Sequence, residues 1–227
     1  MKNKKITITI GIIVSLIIIL LGVMTLSIIK PETPKKEKTE KDKFSSYLEN
    51  FKTANYKAEL VYYSESPEIE NINHVLLTYY YLNDIEKYYY LQENTEEVNQ
   101  YNDYKNKQKY EKEPDDNYKT TDLTSKSNHQ LLVNLLNKAK TTKQDNTAYT
   151  LEVSRKKIKQ FLEEFHKIAD KALKYSESAE YEIIVATENN NISNIIIKEK
   201  EDDSKNIIYT FDKIGEISEI QLPKNAK

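Results

Sequence analysis

The chain has 227 residues, with 34 basic and 36 acidic side chains for a formal charge of −2, no cysteine, no tryptophan and three glycines. The missing cysteine excludes disulfides, thiolate zinc sites, iron–sulfur centres and cysteine nucleophiles, and with them a lipidated cysteine anchor. Of the glycines, Gly11 and Gly22 fall in the first thirty residues and only Gly215 serves the remainder, so phosphate-cradling loops, dinucleotide fingerprints and the strained serine elbow are excluded as well.

In chain order, three lysines within the first five residues precede an uncharged run, residues 6–29, that ends at Lys30-Pro31. As a helix those 24 positions would reach about 36 Å, enough to cross a hydrocarbon core of about 30 Å with some tilt. Export signals have apolar cores of about 7–15 residues, so the run is predicted to stay as an uncleaved anchor rather than to be removed. Lysines lie on both sides of it. Because long domains translocate largely regardless of nearby charge, the expectation is a single-pass protein of the cell membrane with its C-terminal domain outside the cytoplasm. Residues 30–43 are charged, contain Pro31 and Pro34, and read as a spacer. Residues 44–227 then form one extracytoplasmic domain with 25 basic and 32 acidic residues, a balance that argues against nucleic acid as a partner.

A helix is predicted first, from Phe44, Tyr47, Leu48, Phe51 and Ala54 on one face, with Asp42 as its cap. Strands follow at 56–62, 75–82 and 85–91, the last two a hairpin turning at Asn83-Asp84. Weaker strand signals run at 98–104, 107–112 and 118–123, with a turn at 114–117. Ser127-Asn128-His129-Gln130 is a capping-box arrangement before a helix carrying Leu131, Leu132, Leu135, Leu136 and Ala139. A strand at 149–153 leads to Ser154, read as the cap of a helix with Ile158, Phe161, Leu162, Phe165, Ile168, Ala169 and Ala172 on its apolar face. Four closing strands are predicted at 181–187, 192–198, 206–211 and 216–222, with Pro223 ending the last. Their turns fall at 189–191, 202–205 and 213–215.

This order defines an α+β protein: an N-terminal transmembrane helix, then a curved, largely antiparallel, half-barrel-like sheet packed against about three helices. The strand-cap-helix passage YTLEVSRKKIKQFL (149–162) and the final stretches NISNIIIKEKE and KNIIYTFDKIGEISEIQLP resemble, in element order, the LolA and LppX lipoprotein-carrier superfamily. That resemblance implies an apolar cavity between sheet and helices for lipid or acyl chains, or a docking surface for another envelope protein. It transfers no functional residue. A spanning helix in place of a lipidated cysteine departs from many members, and puts shuttling of cargo in question.

Tyrosine gives the sharpest local signal, since thirteen of the eighteen lie between Tyr56 and Tyr118. Lysine supplies 33 of the 34 basic residues, with Arg155 alone the other, and asparagine and isoleucine abound. A base bias toward A/T-rich codons therefore accounts for part of the tyrosine count. Two readings remain for the rings. As a ligand surface, Tyr62, Tyr79, Tyr81, Tyr88 and Tyr90 would line a pocket for acyl chains; as structure, they are cross-strand packing pairs.

Glu163, His166 and Asp170 share a helical ridge but read as a solvated face, and Asp115-Asp116 and Asp202-Asp203 read as turns. No metal, no cofactor and no catalytic residue is expected, although a serine or carboxylate enzyme is left open. The sequence thus points to a membrane-tethered, non-catalytic binding module for an apolar or lipid ligand or an envelope protein partner, with an envelope scaffold or a motif-less enzyme as the alternatives.

Overall fold

A computed structural model describes residues 40–63, 74–90, 98–167, 179–201 and 206–224. The expected anchor, residues 6–29, lies outside the described residues, among which no helix is long and apolar enough to cross a membrane.

Eleven strands form one curved antiparallel sheet, ordered β6-β5-β4-β3-β2-β1-β11-β10-β9-β8-β7. They are β1 (Tyr56–Tyr63), β2 (His74–Leu82), β3 (Ile85–Tyr90), β4 (Val98–Asp103), β5 (Gln108–Lys112), β6 (Tyr118–Asp122), β7 (Lys140–Asp145), β8 (Ala148–Glu152), β9 (Tyr181–Glu188), β10 (Asn191–Glu199) and β11 (Asn206–Asp212). Helices α1 (Glu40–Lys52), α2 (Asn128–Leu136) and α3 (Arg155–Phe165) accompany it among the described residues. Two meanders, β1 to β6 and β7 to β11, are therefore joined edge to edge by the β1–β11 ladder.

Curvature follows from connectivity, because β6 and β7 are opposite edges of the sheet and yet are consecutive strands joined through α2. Eleven strands laid flat would span about 48 Å. The connection supplies about 13.5 Å of helix, and reaches about 47 Å in all only if every flanking residue is fully extended. So the sheet curls, helped by register shifts at Tyr88/Tyr89, Thr141/Lys143 and Ile192/Asn194 that bend their strands. This crossing lays α2 over the concave face.

The core is the inner face of the sheet plus one stripe of each helix. On β1 the alternation is clean: Tyr56, Ala58, Leu60 and Tyr62 are buried while Lys57, Glu59 and Val61 point outward. On α3, Ile158, Phe161, Leu162 and Phe165 are buried at i, i+3, i+4 and i+7. Each such side chain contributes about 1.5–3 kcal/mol of burial. Asn83 and Asp84 both take positive φ, 50° and 62°, the twist that a two-residue hairpin turn needs, and Asn189 and Asn190 repeat it between β9 and β10.

Four expectations need correction. Helix α1 starts at Glu40, so Asp42 lies inside it rather than capping it. Ser154 holds the N-cap position of α3 but its side chain makes no capping hydrogen bond, whereas Ser127 accepts from the Gln130 N–H at 3.0 Å as its motif predicts. Residues 216–222 are not a strand: β11 already pairs with β10 on one side and β1 on the other, leaving no free edge beside it. Asn55 instead holds that segment, accepting from Gly215 N–H at its carbonyl and from Ile217 N–H at its side chain, both at 2.9 Å. Finally, β7 was not expected, because Lys-Thr-Thr-Lys-Gln-Asp is an edge strand with little burial to write an apolar alternation. The turn expected at 202–205 and the apolar positions Ile168, Ala169 and Ala172 lie outside the described residues.

Candidate functional site

The hairpin β2–β3 decides where the tyrosines go. Its register, Tyr79 opposite Tyr88 and Tyr81 opposite Glu86, sends Tyr79, Tyr81, Glu86 and Tyr88 to the inner face and Tyr80, Lys87 and Tyr89 to the outer one. Of the five tyrosines singled out from sequence, Tyr62, Tyr79, Tyr81 and Tyr88 are buried, with 4%, 0%, 6% and 1% exposure. Other rings cover them. Tyr79 stacks on Tyr88 at 5.6 Å, Tyr62 meets Phe165 edge-on at 5.4 Å, and Tyr81 lies flat on His129 at 4.2 Å. The Tyr90 side chain lies outside the described residues.

Among these rings sits a buried carboxylate that periodicity alone did not flag. Glu86 has 0% exposure and receives hydrogen bonds from the Tyr88 hydroxyl, the Tyr104 hydroxyl at 2.6 Å and the His129 backbone N–H at 3.4 Å. Backbone donation from Asn128 adds to these. The carboxylate therefore sits at the N-terminus of α2, where unpaired N–H groups and the helix dipole favour an anion. Burial nevertheless dominates and raises its pKa from 4.5 to about 7, the hydrogen bonds from Tyr104, Tyr88 and the α2 backbone acting in opposition.

Asn128 and His129 extend this polar knot to three other elements. Asn128 donates to the Tyr88 hydroxyl on β3 and accepts from the Tyr209 hydroxyl on β11, each at 3.1 Å. The His129 Nε2 lies 3.2 Å from the Lys52 carbonyl oxygen, which can only accept, so Nε2 carries the proton. Burial lowers the pKa of the ring and keeps it neutral, and Nδ1 then accepts from the Tyr56 hydroxyl at 3.2 Å. The knot thus ties α2, the end of α1, β1, β3 and β11 together. Its one acid has no face toward solvent. Parity held the signal: in Ile85-Glu86-Lys87-Tyr88, an inward Tyr88 forces Glu86 inward too.

A concavity lies elsewhere, along the seam between α1 and the edge strand β7, its apolar walls Phe44, Leu48 and Leu136 being themselves buried at 7%, 7% and 1% exposure. A cleft of about 660 Å³ lies there, walled by Phe44, Leu48, Leu136 and Ala139, and rimmed by Ser45, Glu49, Lys140, Lys143 and Gln144. Gln144 contributes a buried side-chain oxygen with no hydrogen-bond partner. The volume suits a drug-sized molecule or part of an acyl chain, and an apolar floor with a few polar rim groups is the usual make-up of a small-molecule site. Phe44 and Leu48 belong to the helical stripe read from sequence, but their pairing with β7 was hidden with β7 itself. Among the described residues no group of three or more His, Asp or Glu side chains is placed to hold a metal ion, and Asp170 of the Glu163-His166-Asp170 ridge lies outside them.

No family model matches the chain, and no curated protein sequence does. Among solved structures it is similar to LprF from Mycobacterium bovis, at 10% identity over 82% of this chain and 96% of that one, with a TM-score of 0.44. It is also similar to the lipoprotein LppX of Mycobacterium tuberculosis, at 14% identity over 79% and 97%, with a TM-score of 0.34. Both are loose superpositions, and neither places a ligand on this chain.

Proposed function

We propose that the chain is a membrane-tethered binding module outside the cytoplasm that takes up an apolar ligand and performs no chemistry on it. The α1–β7 cleft carries this reading, with Phe44, Leu48, Leu136 and Ala139 as its floor and a polar rim suited to the head of an acyl compound. In this reading the inward tyrosines are the packed wall of the sheet behind the site. What supports the absence of chemistry is the use made of Glu86: among the described residues, the one carboxylate whose pKa is pushed close to neutrality is fully buried and hydrogen-bonded to the sheet and α2.

The test is to make residues 40–227 in cells, purify the protein without detergent, extract it with organic solvent and read the extract by mass spectrometry. Acyl compounds should copurify, and Ala139→Trp, which fills the cleft from a half-buried position, should lower their yield several-fold without lowering the melting temperature. An extract free of acyl compounds from the parent protein would overturn the ligand. The side-chain packing around Tyr62, Tyr79, Tyr81 and Tyr88 favours one second reading, an envelope scaffold offering its surface to a protein partner, which that same empty extract would select. The tether has its own test: protease added to intact cells should digest the C-terminal domain.

A further inference from the structure

The outer face of the sheet carries an arrangement that neither the knot nor the cleft uses. Cross-strand register sets Lys57, Tyr80, Lys87, Tyr101, Tyr110 and Thr120 in one row across β1 to β6. At its centre the Lys87 Nζ lies 5.3 Å from the Tyr89 ring centre and 5.8 Å from that of Tyr101. Lys213 places its Nζ 6.0 Å from the Tyr80 ring, and Tyr80 and Tyr89 are themselves 5.5 Å apart. Two ammonium groups are thus held over tyrosine rings on the outer face of the sheet, opposite the face whose buried side chains join the helices in the core.

Among the described residues, acids flank this patch but stay out of its centre. Asp212 stands opposite Lys57 in the register, and Glu59 pairs with Lys57 at 3.3 Å, which neutralises that end of the row. Asp103, opposite Ile85, is buried and occupied by Asn106, and Asp122 stands opposite Gln108. From Tyr80 to Thr120 the row has no acid. The domain as a whole is acidic, so this is a local cationic spot on a surface that otherwise repels polyanions.

The row presents the Tyr80 ring, the Lys87 ammonium and the Tyr110 ring across three strand spacings, about 14 Å, a length over which a linear polymer can meet several of these groups at once. A sugar ring presents a C–H face that packs on an aromatic ring and hydroxyls that bond to tyrosine hydroxyls, while a carboxylate or phosphate on the chain meets an ammonium. We infer that the outer face centred on Tyr80, Lys87 and Tyr89 binds a linear anionic polysaccharide. This site is separate from the apolar-ligand reading and stands or falls without it.

The full chain, reconstituted in vesicles of neutral phosphatidylcholine, is titrated with three probes: polygalacturonate, uncharged dextran, and vesicles containing anionic phosphatidylglycerol. Polygalacturonate should bind and weaken with salt, dextran should bind less, and the pair Lys87→Gln with Tyr89→Ser should raise Kd about tenfold, equivalent to the loss of about 1.4 kcal/mol. Lys213→Gln, on an exposed turn, should raise Kd without touching the sheet, which keeps the test decisive if the paired variant fails to fold. Lys157→Gln, on the helical side, should leave Kd unchanged. Absence of polygalacturonate binding, equal binding of dextran, preference for the anionic vesicles, or indifference to Lys213→Gln would each overturn the inference.

Discussion

Glu86 makes the stability of this domain depend on pH in a direction opposite to that of an ordinary acid. A carboxyl whose folded pKa is raised from 4.5 to about 7 holds its proton more tightly when folded. Its contribution is fully present below pH 4.5 and is lost as pH rises through 7. At about 1.4 kcal/mol for each tenfold difference in proton affinity, the loss between pH 4.5 and pH 8 is about 3 kcal/mol. Against a total of about 5–15 kcal/mol for a domain, that is a large share.

Substitution isolates the effect. Glu86→Gln removes the ionisation and loses one acceptor among the Tyr88, Tyr104 and His129 donors, a penalty that does not change with pH. Urea unfolding of parent and variant at pH 5, 6.5 and 8 gives two stability curves, and other titrating groups, His129 included, cancel in their difference. The parent should lose about 2.5 kcal/mol relative to the variant on going from pH 5 to pH 8. A gap that stays flat across that range would mean that Glu86 remains ionised throughout. In that case the four donors, not burial, would set its charge.

His129 should act with the reverse sign: its lowered pKa contributes stability above about pH 6.5 that is lost as pH falls, and His129→Phe should flatten that acid limb in urea titrations while destabilising by about 1–3 kcal/mol through the orphaned Tyr56 hydroxyl and Lys52 carbonyl. Tyr209→Phe strips the donor from the Asn128 side-chain oxygen and should cost about 1–3 kcal/mol by the same measurement, with no change in pH dependence. Phe165→Ala empties a fully buried site between Tyr62 and Phe161 and should cost about 3–5 kcal/mol in urea or thermal unfolding.

Strands with a buried face were legible because burial writes itself as alternation. Tyr56 to Tyr62, the Asn83-Asp84 hairpin and the β9–β10 pair all lie where period and turn chemistry place them. Alternation misled where a strand has no partner to pair with. Residues 216–222 alternate as well as β10 does, yet the vacancy beside β11 is filled by β1, the strand farthest from it in sequence. It was silent where a strand has little to bury, as in β7. The knot shows a third case. An inward Glu86 follows from parity within one hairpin, but its backbone donors Asn128 and His129 come from 42 and 43 residues further on, and only the tertiary fold brings them to it.

Knot and cleft lie at opposite ends of α1, and this bears on how a ligand would enter. The C-terminal end of α1 is held by directed bonds, from His129 to the Lys52 carbonyl at 3.2 Å and from Asn50 Nδ2 to the Asn190 carbonyl at 3.0 Å. Its earlier turns rest on β8 through rings, Phe44 and Tyr47 against Tyr149 at 5.1 and 6.0 Å. Apolar contacts slide more readily than a hydrogen-bonded network, so α1 can tilt about its pinned end and widen the β7 seam while the knot stays closed. Amide exchange should accordingly be faster at 44–48 than at 128–136 of α2, and a bound acyl compound should slow the former selectively. Equal protection of both segments in the empty protein would mean that α1 and α2 open together, and that the seam is no separate door.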